Sequence, residues 1–474
     1  MTQTVPGSVE PFDPSSTRPV STIERFAMPD SKPRLRYRFR LYPHPHQEQA
    51  LARLFGSCRS VWNSALRLRT ARYRDGVKYN KDERGLLQKV CLTEAKATDK
   101  PWLAEVNSHA VQQALRDLHQ AISNHLSSAS GRRKGPKVKG PRLKKKRGAQ
   151  SARFVSGGFA CNERTIRLSK VGLVPITWTR DLPSAPSSCT VIRDAAGRYF
   201  ASFVCEIEPK PMPTLETEVG IDLGTVFFAS FNTGEQIEGP KPLKRNLQKL
   251  RRLQQALKRM DRNCTRTNPV TGRRQRGSHR YHRQQRRIAR VHARITDVRK
   301  DFHEKLSTRL IHENQVIVLE DLRVSAMLKA PKPKLDEYAQ RWLPNGRASK
   351  RGLARSISDA GWRSFRLMLE QKAERYGREI RLVNPAYTSQ QCSCCGHTEK
   401  ANRKTQAEFK CLSCGHTENA DINAAKNILA AGLAESPERG STKRTAEPPQ
   451  KSRVKSRAAG CEASTHLKVM AHAA

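Results

Sequence analysis

The sequence predicts a multidomain α+β protein, and three kinds of pattern support this fold class. Basic and apolar residues alternate over 34–42, which is the period-2 pattern of a strand with one buried face. Apolar residues then recur at helical spacing over 47–73, and a continuous apolar run at 316–319 is typical of a strand buried on both faces. Two Cys-x-x-Cys pairs within 392–414 indicate a small metal-binding module.

The charge of the chain predicts a polyanionic partner. Its 474 residues hold 89 Lys and Arg against 43 Asp and Glu, a formal net charge of +46. This excess is far beyond what solubility requires, so nucleic acid is the expected partner. A chain of this length predicts roughly two to four domains. No apolar run is long enough to span a membrane and no secretory signal pattern is present, so we expect a cytoplasmic protein without a membrane partner.

The first part of the chain predicts a β-barrel interrupted by helices. Residues 1–33 are rich in Pro, Ser and Thr and are expected to form a disordered extension. The strand at 34–42 and four later strand patterns, separated by Gly and Pro, predict a barrel built from 34–46 and 130–208. Helical patterns within 47–129 predict a helical domain inserted in this barrel. The later strands are expected at 165–168, 173–178, 189–193 and 199–208.

A basic segment, 132–147, joins the predicted helices to the later strands. It has no acidic residue and is spaced by Gly and Pro. Such a run is often a solvated loop, but like charges without compensation repel each other unless a polyanion binds. We therefore predict phosphate binding here. The residues assigned to it are Arg132, Arg133, Lys134, Lys144, Lys145, Lys146 and Arg147.

Three acidic residues lie where elements of a second domain begin or end. Beyond a Pro-rich boundary at 209–213, Asp222 ends a short strand pattern, and Glu320 ends the buried strand pattern. Asp421 begins a helical pattern. Alone, an acid at a strand end can be merely solvated, and Asp421 can be an ordinary helix N-cap. Together the three predict the carboxylate triad of an RNase H-like sheet.

The chemistry of such a triad is metal-dependent. Three carboxylates on separate elements can bridge two Mg²⁺ or Mn²⁺ ions about 3.5–4 Å apart, where one ion activates water and the other stabilises the leaving oxygen of a phosphodiester. Asp222, Glu320 and Asp421 are the predicted catalytic residues and magnesium ligands. The sequence holds no GxxxxGK[ST] motif that would indicate ATP hydrolysis.

Residues 241–310 predict a pair of antiparallel helices between the first two acids. Each half has an apolar stripe at helical spacing and a strongly basic opposite face. A solvated face is the plain interpretation, and contact with a nucleic-acid backbone is the alternative that the scarcity of acidic residues favours. The basic residues assigned to this contact are Arg251, Arg252, Arg259, Arg283 and Arg287.

The two cysteine pairs predict a zinc ribbon at 388–418. Cys392 with Cys395 and Cys411 with Cys414 supply four thiolates, and a Gly follows each pair. Four thiolates in this spacing suit one tetrahedral Zn²⁺. Cys394 lies inside the first pair and is expected to be a spectator.

The motifs, taken in order, resemble the TnpB family of transposon-encoded proteins and its descendants, the compact type V CRISPR effectors. The resemblance covers about 34–433. It implies a "wedge" barrel with an inserted recognition domain, then a RuvC-like nuclease made of 214–387 and 419–433 that holds the zinc ribbon. The tail, 434–474, lies outside the pattern and is expected to be disordered and basic. The motifs are Phe39–Pro43, Ile221–Gly224, Leu319–Leu322, Ser358–Trp362, Thr388–Gly396 and Asp421–Ala425.

This resemblance implies a guide-directed DNA endonuclease with one RuvC-like site. Its partners would be a structured guide RNA and a target double-stranded DNA that bears a short flanking motif. A homodimer is an alternative to a monomer that the sequence leaves open. Two other functions are weighed against this one. A guide-loaded DNA-silencing protein would not need all three acids, and a guide-free, junction-resolving nuclease would not need such long basic additions.

Overall fold

The computed structural model describes residues 33–434 except 147, 210, 263–271, 273–277, 337, 339, 344–345 and 406. Three sequence predictions therefore lie wholly or almost wholly outside the described residues. They are the disordered extension at 1–33, the basic tail at 434–474 and the role of Arg147. In the part of the chain that is described, no helix is both long and apolar enough to cross a membrane.

The chain forms helices and strands in mixed order. The helices are α1 (Pro45–Arg74), α2 (Lys81–Gln88), α3 (Ala95–Ala97), α4 (Ser108–Ala129), α5 (Pro242–Arg262), α6 (His279–Glu313), α7 (Val324–Met327), α8 (Arg347–Ala360), α9 (Trp362–Tyr376) and α10 (Ala420–Ala434). The first strands are β1 (Arg34–Leu41), β2 (Gln150–Val155), β3 (Phe159–Cys161), β4 (Thr165–Leu168), β5 (Gly172–Thr177), β6 (Ser188–Arg193) and β7 (Tyr199–Glu206). The later strands are β8 (Glu218–Asp222), β9 (Ala229–Phe231), β10 (Gln236–Ile237), β11 (Val316–Glu320), β12 (Lys334–Asp336), β13 (Arg341–Leu343), β14 (Glu379–Val383), β15 (Glu408–Lys410) and β16 (Thr417–Asn419).

The first seven strands form one antiparallel sheet in the order β2-β6-β7-β1-β5-β4-β3. Its two outer strands, β2 and β3, are consecutive in the chain and are joined by a tight turn at 156–158, where Gly157 has a positive φ of 79°. The sheet therefore curls into a nearly closed barrel, as predicted. Alternate residues of β1 face inward, since Tyr37, Phe39 and Leu41 are buried while Arg36 and Arg38 are exposed.

Helices α1 and α4 pack on the barrel rather than forming a separate core. Phe39 of β1, Leu51 of α1, Leu115 of α4 and Phe203 of β7 belong to one contiguous apolar cluster. Asn107 caps α4, because its side-chain oxygen accepts a hydrogen bond of 2.8 Å from the Ala110 amide. The helices predicted from apolar spacing are confirmed, and they share the core of the barrel that they interrupt.

The second sheet has the order β10-β9-β8-β11-β14. Strands β8, β11 and β14 are parallel, and β9 and β10 continue the sheet antiparallel. In the register, Leu319 pairs with Ile221 and Glu320 pairs with Val383. The carboxyl ends of β8 and β11 therefore meet at one edge, which brings Asp222 and Glu320 to the same side of the sheet.

Helix α10 lies directly against this sheet because two glycines remove side chains from the contact. A Cβ on Gly220 would overlap the Ala425 carbonyl, and a Cβ on Gly432 would overlap the Val318 side chain. Ile428 of α10 is fully buried in the apolar cluster on this face. This close approach fixes the start of α10, and with it Asp421, near the edge where β8 and β11 end.

Helices α5 and α6 pack along each other, as predicted. Leu250 of α5 is buried with Val291 and Ile295 of α6. Near the other end of the pair, Asp359 accepts hydrogen bonds of 2.9 Å from the first amides of α5, those of Leu243 and Lys244. The backbone carbonyl of Asp359 also accepts a hydrogen bond of 2.8 Å from Arg299 Nε of α6. Asp359, which belongs to the Ser358–Trp362 motif and to α8, thus links α8 to both α5 and α6 by hydrogen bonds.

Residues 327–349 have a Pro- and Lys-rich composition that is typical of a loop, but they contain regular structure. They include the antiparallel hairpin of β12 and β13 and the beginning of α8. Exposed apolar side chains, including Trp342 and Tyr338, populate this hairpin. The Pro- and Lys-rich composition concealed the hairpin, because it has neither a long alternating pattern nor a buried face.

Candidate carboxylate and four-cysteine sites

Three elements bring the predicted acids together at the edge of the second sheet. Asp222 ends β8, Glu320 ends β11, and Asp421 lies in the first turn of α10. Asn419, rather than Asp421, caps this helix, since its side-chain oxygen accepts from the Asp421 amide at 3.0 Å. The interpretation of Asp421 as a mere N-cap is therefore wrong, and its carboxylate is left for another role.

Burial, and then mutual repulsion, dominates the electrostatics of this carboxylate cluster. Burial first, and then the charges of Glu320 and Asp421, raise the pKa of Asp222 to about 7. Burial also raises the pKa of Glu320 and of Asp421. Buried acids that repel each other favour either a bound proton or a bound cation. With no added cation, Asp222 gives up its proton only as the pH rises through about 7.

Two neighbours oppose these shifts, and both belong to the predicted zinc ribbon. The Thr388 hydroxyl donates a hydrogen bond of 2.6 Å to Glu320 Oε1 and lowers the pKa of that carboxyl against the effect of burial. Arg403 Nη2 donates to Asp421 Oδ1 at 3.0 Å and likewise opposes the effect of burial on the Asp421 pKa. The ribbon therefore supplies polar partners to the carboxylate cluster.

Neither Thr388 nor Arg403 was singled out from the sequence as a site residue. Arg403 stands between the cysteine pairs, in a chain with 89 Lys and Arg, so its type alone carries no signal. Thr388 is buried and lies at the start of the ribbon. Only the tertiary contact of the ribbon with β11 and α10 identifies either residue.

Buried amides fasten the start of the ribbon to α10. Asn427 donates to the carbonyls of Thr388 and Gln391 at 2.9 and 2.7 Å. Asn423 donates to the same Gln391 carbonyl at 2.7 Å and accepts from the Ser393 amide at 2.9 Å. Because α10 also carries Asp421, these bonds couple the position of Thr388 to that of the third acid.

The four predicted cysteines form a compact cluster. Their Sγ atoms all lie within 4.8 Å of one another, with 3.7 Å between Cys392 and Cys414 and 3.6 Å between Cys395 and Cys411. Cys394 is exposed and lies outside the cluster, as predicted. Four thiolates at this separation suit a single tetrahedral Zn²⁺.

The two cysteine pairs have the same backbone geometry. Gly396 and Gly415 both adopt a positive φ, of 76° and 73°, and donate their amides to the carbonyls of Cys392 and Cys411 at 2.9 and 3.1 Å. Each turn presents its two thiols on one side, which explains why a Gly follows each pair. The chemistry of the donor set and these matched turns fit a structural zinc site.

The predicted nucleic-acid contacts lie on two surfaces. Lys144 differs from its neighbours, because it is half-buried with Nζ 3.9 Å from the centre of the Trp62 ring. The other residues of the segment that were assigned to phosphate binding and that the structure describes are exposed, namely Arg132, Arg133, Lys134, Lys145 and Lys146. The arginines assigned on α5 and α6, all exposed, are Arg251, Arg252, Arg259, Arg283 and Arg287.

Three family models match this chain. The model described as "Probable transposase" matches residues 202–330, and "Cas12f1-like, TNB domain" matches residues 362–428. A "Helix-turn-helix domain" model matches residues 33–78, which here form one strand and one long helix. The matches thus include the strands that carry Asp222 and Glu320 and the four-cysteine module.

Two relatives match nearly the whole chain, and both bear the description "Putative RNA-guided DNA endonuclease". The protein of Streptomyces pristinaespiralis is 36% identical over 417 residues, covering 86% of this chain and 91% of its own length. The protein of Escherichia coli K12 is 34% identical over 400 residues, covering 84% of this chain and 92% of its own length. A solved Cas12f1-sgRNA-target DNA complex has a TM-score of 0.46 at 14% identity, covering 81% of this chain and 82% of that chain.

The matches to a probable transposase model and to a Cas12f1-like model place the chain among transposon-encoded proteins and their CRISPR-associated relatives. Within this class the chain belongs to the TnpB family, since its similarity to these relatives extends over most of both chains. The resemblance predicted from the ordered motifs is confirmed.

Proposed function

We propose that this protein is an RNA-guided DNA endonuclease that cuts with a single RuvC-like site formed by Asp222, Glu320 and Asp421. The observation that carries the proposal is the meeting of three acids from β8, β11 and α10, where burial and then repulsion raise the pKa of Asp222 to about 7. Such a site needs an opposing charge, and a divalent cation supplies it. The naming of full-length relatives as RNA-guided DNA endonucleases supports the same activity.

Two Mg²⁺ ions, or two Mn²⁺ ions, would be held by Asp222, Glu320 and Asp421. Carboxylate oxygens are the ligands that these hard cations prefer. Bound to these carboxylates, such ions would supply an activated water and neutralise the charge on the leaving oxygen.

The protein's own residues hold the acids in place for this chemistry. The hydrogen bond from Thr388 orients Glu320, and Arg403 neutralises part of the charge on Asp421. The second sheet, with three parallel strands and two antiparallel ones beyond β8, supports a RuvC-like assignment. The zinc ribbon then acts as a structural brace that sets Thr388 and Arg403 beside the acids.

The proposed domain division follows the sequence prediction. The wedge barrel and the inserted recognition domain would bind the guide RNA and target double-stranded DNA through the basic segment, and α5 and α6 would add a second basic surface. The ranges are 34–46 and 130–208 for the wedge, 47–129 for the recognition domain, 214–387 and 419–433 for the nuclease, 241–310 for its basic helical pair, and 388–418 for the zinc ribbon.

The test of this function is to express the protein from its own DNA with flanking sequence and to sequence the RNA that copurifies. We expect one recurrent structured RNA and cleavage of DNA that matches its variable end, in Mg²⁺ but not in EDTA. Tight DNA binding without cleavage would favour the silencing function instead. Cleavage of branched DNA that continues after RNase treatment would favour a junction-resolving nuclease.

A further inference from the structure

A small basic cavity lies where the segment 132–147, α4 and the barrel meet. Its volume is about 310 Å³, at the lower end of the range for ligand pockets. Three cations line it, Arg36 of β1, Lys144 of the segment and Arg153 of β2, against one acid, Asp117 of α4. Arg153 and Asp117 form an ion pair of 2.9 Å, so the lining keeps a net positive charge.

The walls of this cavity allow a chain backbone to come close. Much of the remaining lining is small, with Ala110 and Ala114 on α4, Ala152 on β2 and the preceding Ala149. Ser151 and Thr190 add hydroxyl groups that can donate hydrogen bonds. A cavity with excess cations, hydroxyl donors and small side chains suits one anionic group attached to a longer polymer.

Lys144 is held at this cavity from both its side chain and its backbone. Its ammonium lies over the Trp62 ring at 3.9 Å. Its backbone amide donates to Asn63 Oδ1 at 2.8 Å, and its carbonyl accepts from Asn63 Nδ2 at 3.0 Å. The indole of Trp62 also donates to the Arg142 carbonyl at 3.0 Å. Two adjacent residues of α1 thus fix Lys144, which is the one lysine of the Lys144–Lys146 run among the residues that line this cavity.

We propose that this cavity binds one phosphodiester group of a nucleic-acid backbone, that Lys144 contacts the phosphate, and that Asn63 and Trp62 are positioning residues that act through Lys144. This inference rests on the proposed function, because it assumes a nucleic-acid partner. It assigns the basic segment two kinds of residue. Lys145 and Lys146 are exposed and contribute general attraction, whereas Lys144 makes a fixed contact.

Burial lowers the pKa of the Lys144 ammonium, and Asp117 opposes this effect. A phosphate in the cavity would replace the lost hydration of the ammonium. Holding Lys144 in place before binding also lowers the entropy cost of the contact. Because of both effects, we expect Lys144 to contribute more to the binding affinity than an exposed lysine of equal charge.

The test compares Lys144→Gln with Lys145→Gln, a matched change of one charge at the next position. Each full-length variant is titrated with two probes, a random-sequence DNA duplex and a random-sequence single-stranded RNA, over a series of salt concentrations. We expect Lys144→Gln to weaken binding about tenfold and Lys145→Gln by less than about threefold. Loss of one phosphate contact should lower the salt slope by about 0.9 on the duplex or about 0.7 on the single strand. The probe that shows the larger loss identifies the strand that enters the cavity.

A double-mutant cycle tests the positioning role of Asn63. Asn63→Ala keeps every charge, and we expect it to weaken binding in the wild-type background but to add nothing to Lys144→Gln. Additive losses, or wild-type affinity in Asn63→Ala, would overturn the positioning role. Thermal unfolding of each variant shows whether the fold is intact, and if Asn63→Ala does not fold, the two lysine variants decide the phosphate contact alone.

The outcomes also separate this inference from the proposed function. Equal, small losses in Lys144→Gln and Lys145→Gln, with wild-type binding intact, would overturn the cavity site and leave the endonuclease proposal standing. If the wild-type protein bound neither probe, both would fail.

Discussion

Replacing Asp222 with Ala should abolish DNA cleavage and leave guide and target binding close to wild type. The change removes an oxygen ligand from the metal site, and metal ions supply several kcal/mol of transition-state stabilisation. Since about 1.4 kcal/mol corresponds to tenfold in rate, we expect cleavage to fall by at least about 10³-fold. The basic segment, α5 and α6 are unchanged in this variant, so the surfaces proposed to bind nucleic acid remain. Target binding and strand cleavage are measured in the same Mg²⁺ buffer, with wild type in EDTA as the metal-free control.

Asp321 provides a matched control for this experiment. It follows Glu320 directly, but it is exposed and forms an ion pair with Arg366, so it lies outside the carboxylate cluster. Asp321→Ala should therefore cut at nearly the wild-type rate. A wild-type rate in Asp222→Ala, or an equal loss in Asp321→Ala, would contradict the assignment of the carboxylate cluster.

Replacing Cys411 with Ser should release zinc and also stop cleavage, although Cys411 is not one of the three acids. Structural zinc sites contribute about 10–16 kcal/mol of binding free energy, which is coupled to folding of the module. Cys411 is buried with Phe409 and with Ala420, the first residue of α10. Loss of the ribbon should therefore release Thr388 and Arg403 from Glu320 and Asp421. Zinc content is measured by elemental analysis, and cleavage with the same guide and target.

Cys394→Ser is the control for the cysteine experiment, because this thiol lies within the first pair but outside the cluster. It should keep both zinc and activity. Full zinc content in Cys411→Ser would show that the four thiolates do not form the site. Loss of zinc with unchanged cleavage would show that the ribbon is not a brace for the acids.

Local patterns predicted those parts of the fold whose signal lies in neighbouring residues. The alternation over 34–42 predicted β1 to within one residue of its end at Leu41, and the continuous apolar run predicted β11 with its end at Glu320. The cysteine spacing fixed the metal module for the same reason. Strand β2 is not among the predicted strands, although it has buried Ala152 and Phe154 at alternate positions.

The contacts that tune the site could not be foreseen, because they join residues far apart in the chain. Thr388 meets Glu320 across 68 positions, and Arg403 meets Asp421 only after the ribbon folds against α10. The different role proposed for Lys144 could not be predicted from the sequence either. In the sequence Lys144 is one charge in a basic run, and only its packing on Trp62 in the folded protein distinguishes it from Lys145.

The central claim is that a bound RNA chooses the DNA that the carboxylate site cuts. The most direct measurement is to replace the variable end of the copurified RNA with a new sequence and to incubate the complex with two DNA targets that share one flanking sequence. Each target matches one guide only. We predict that cleavage in Mg²⁺ moves to the target that matches the new guide. Cutting that stays at the original target, or that is equal on both targets with either RNA, would contradict guidance by RNA.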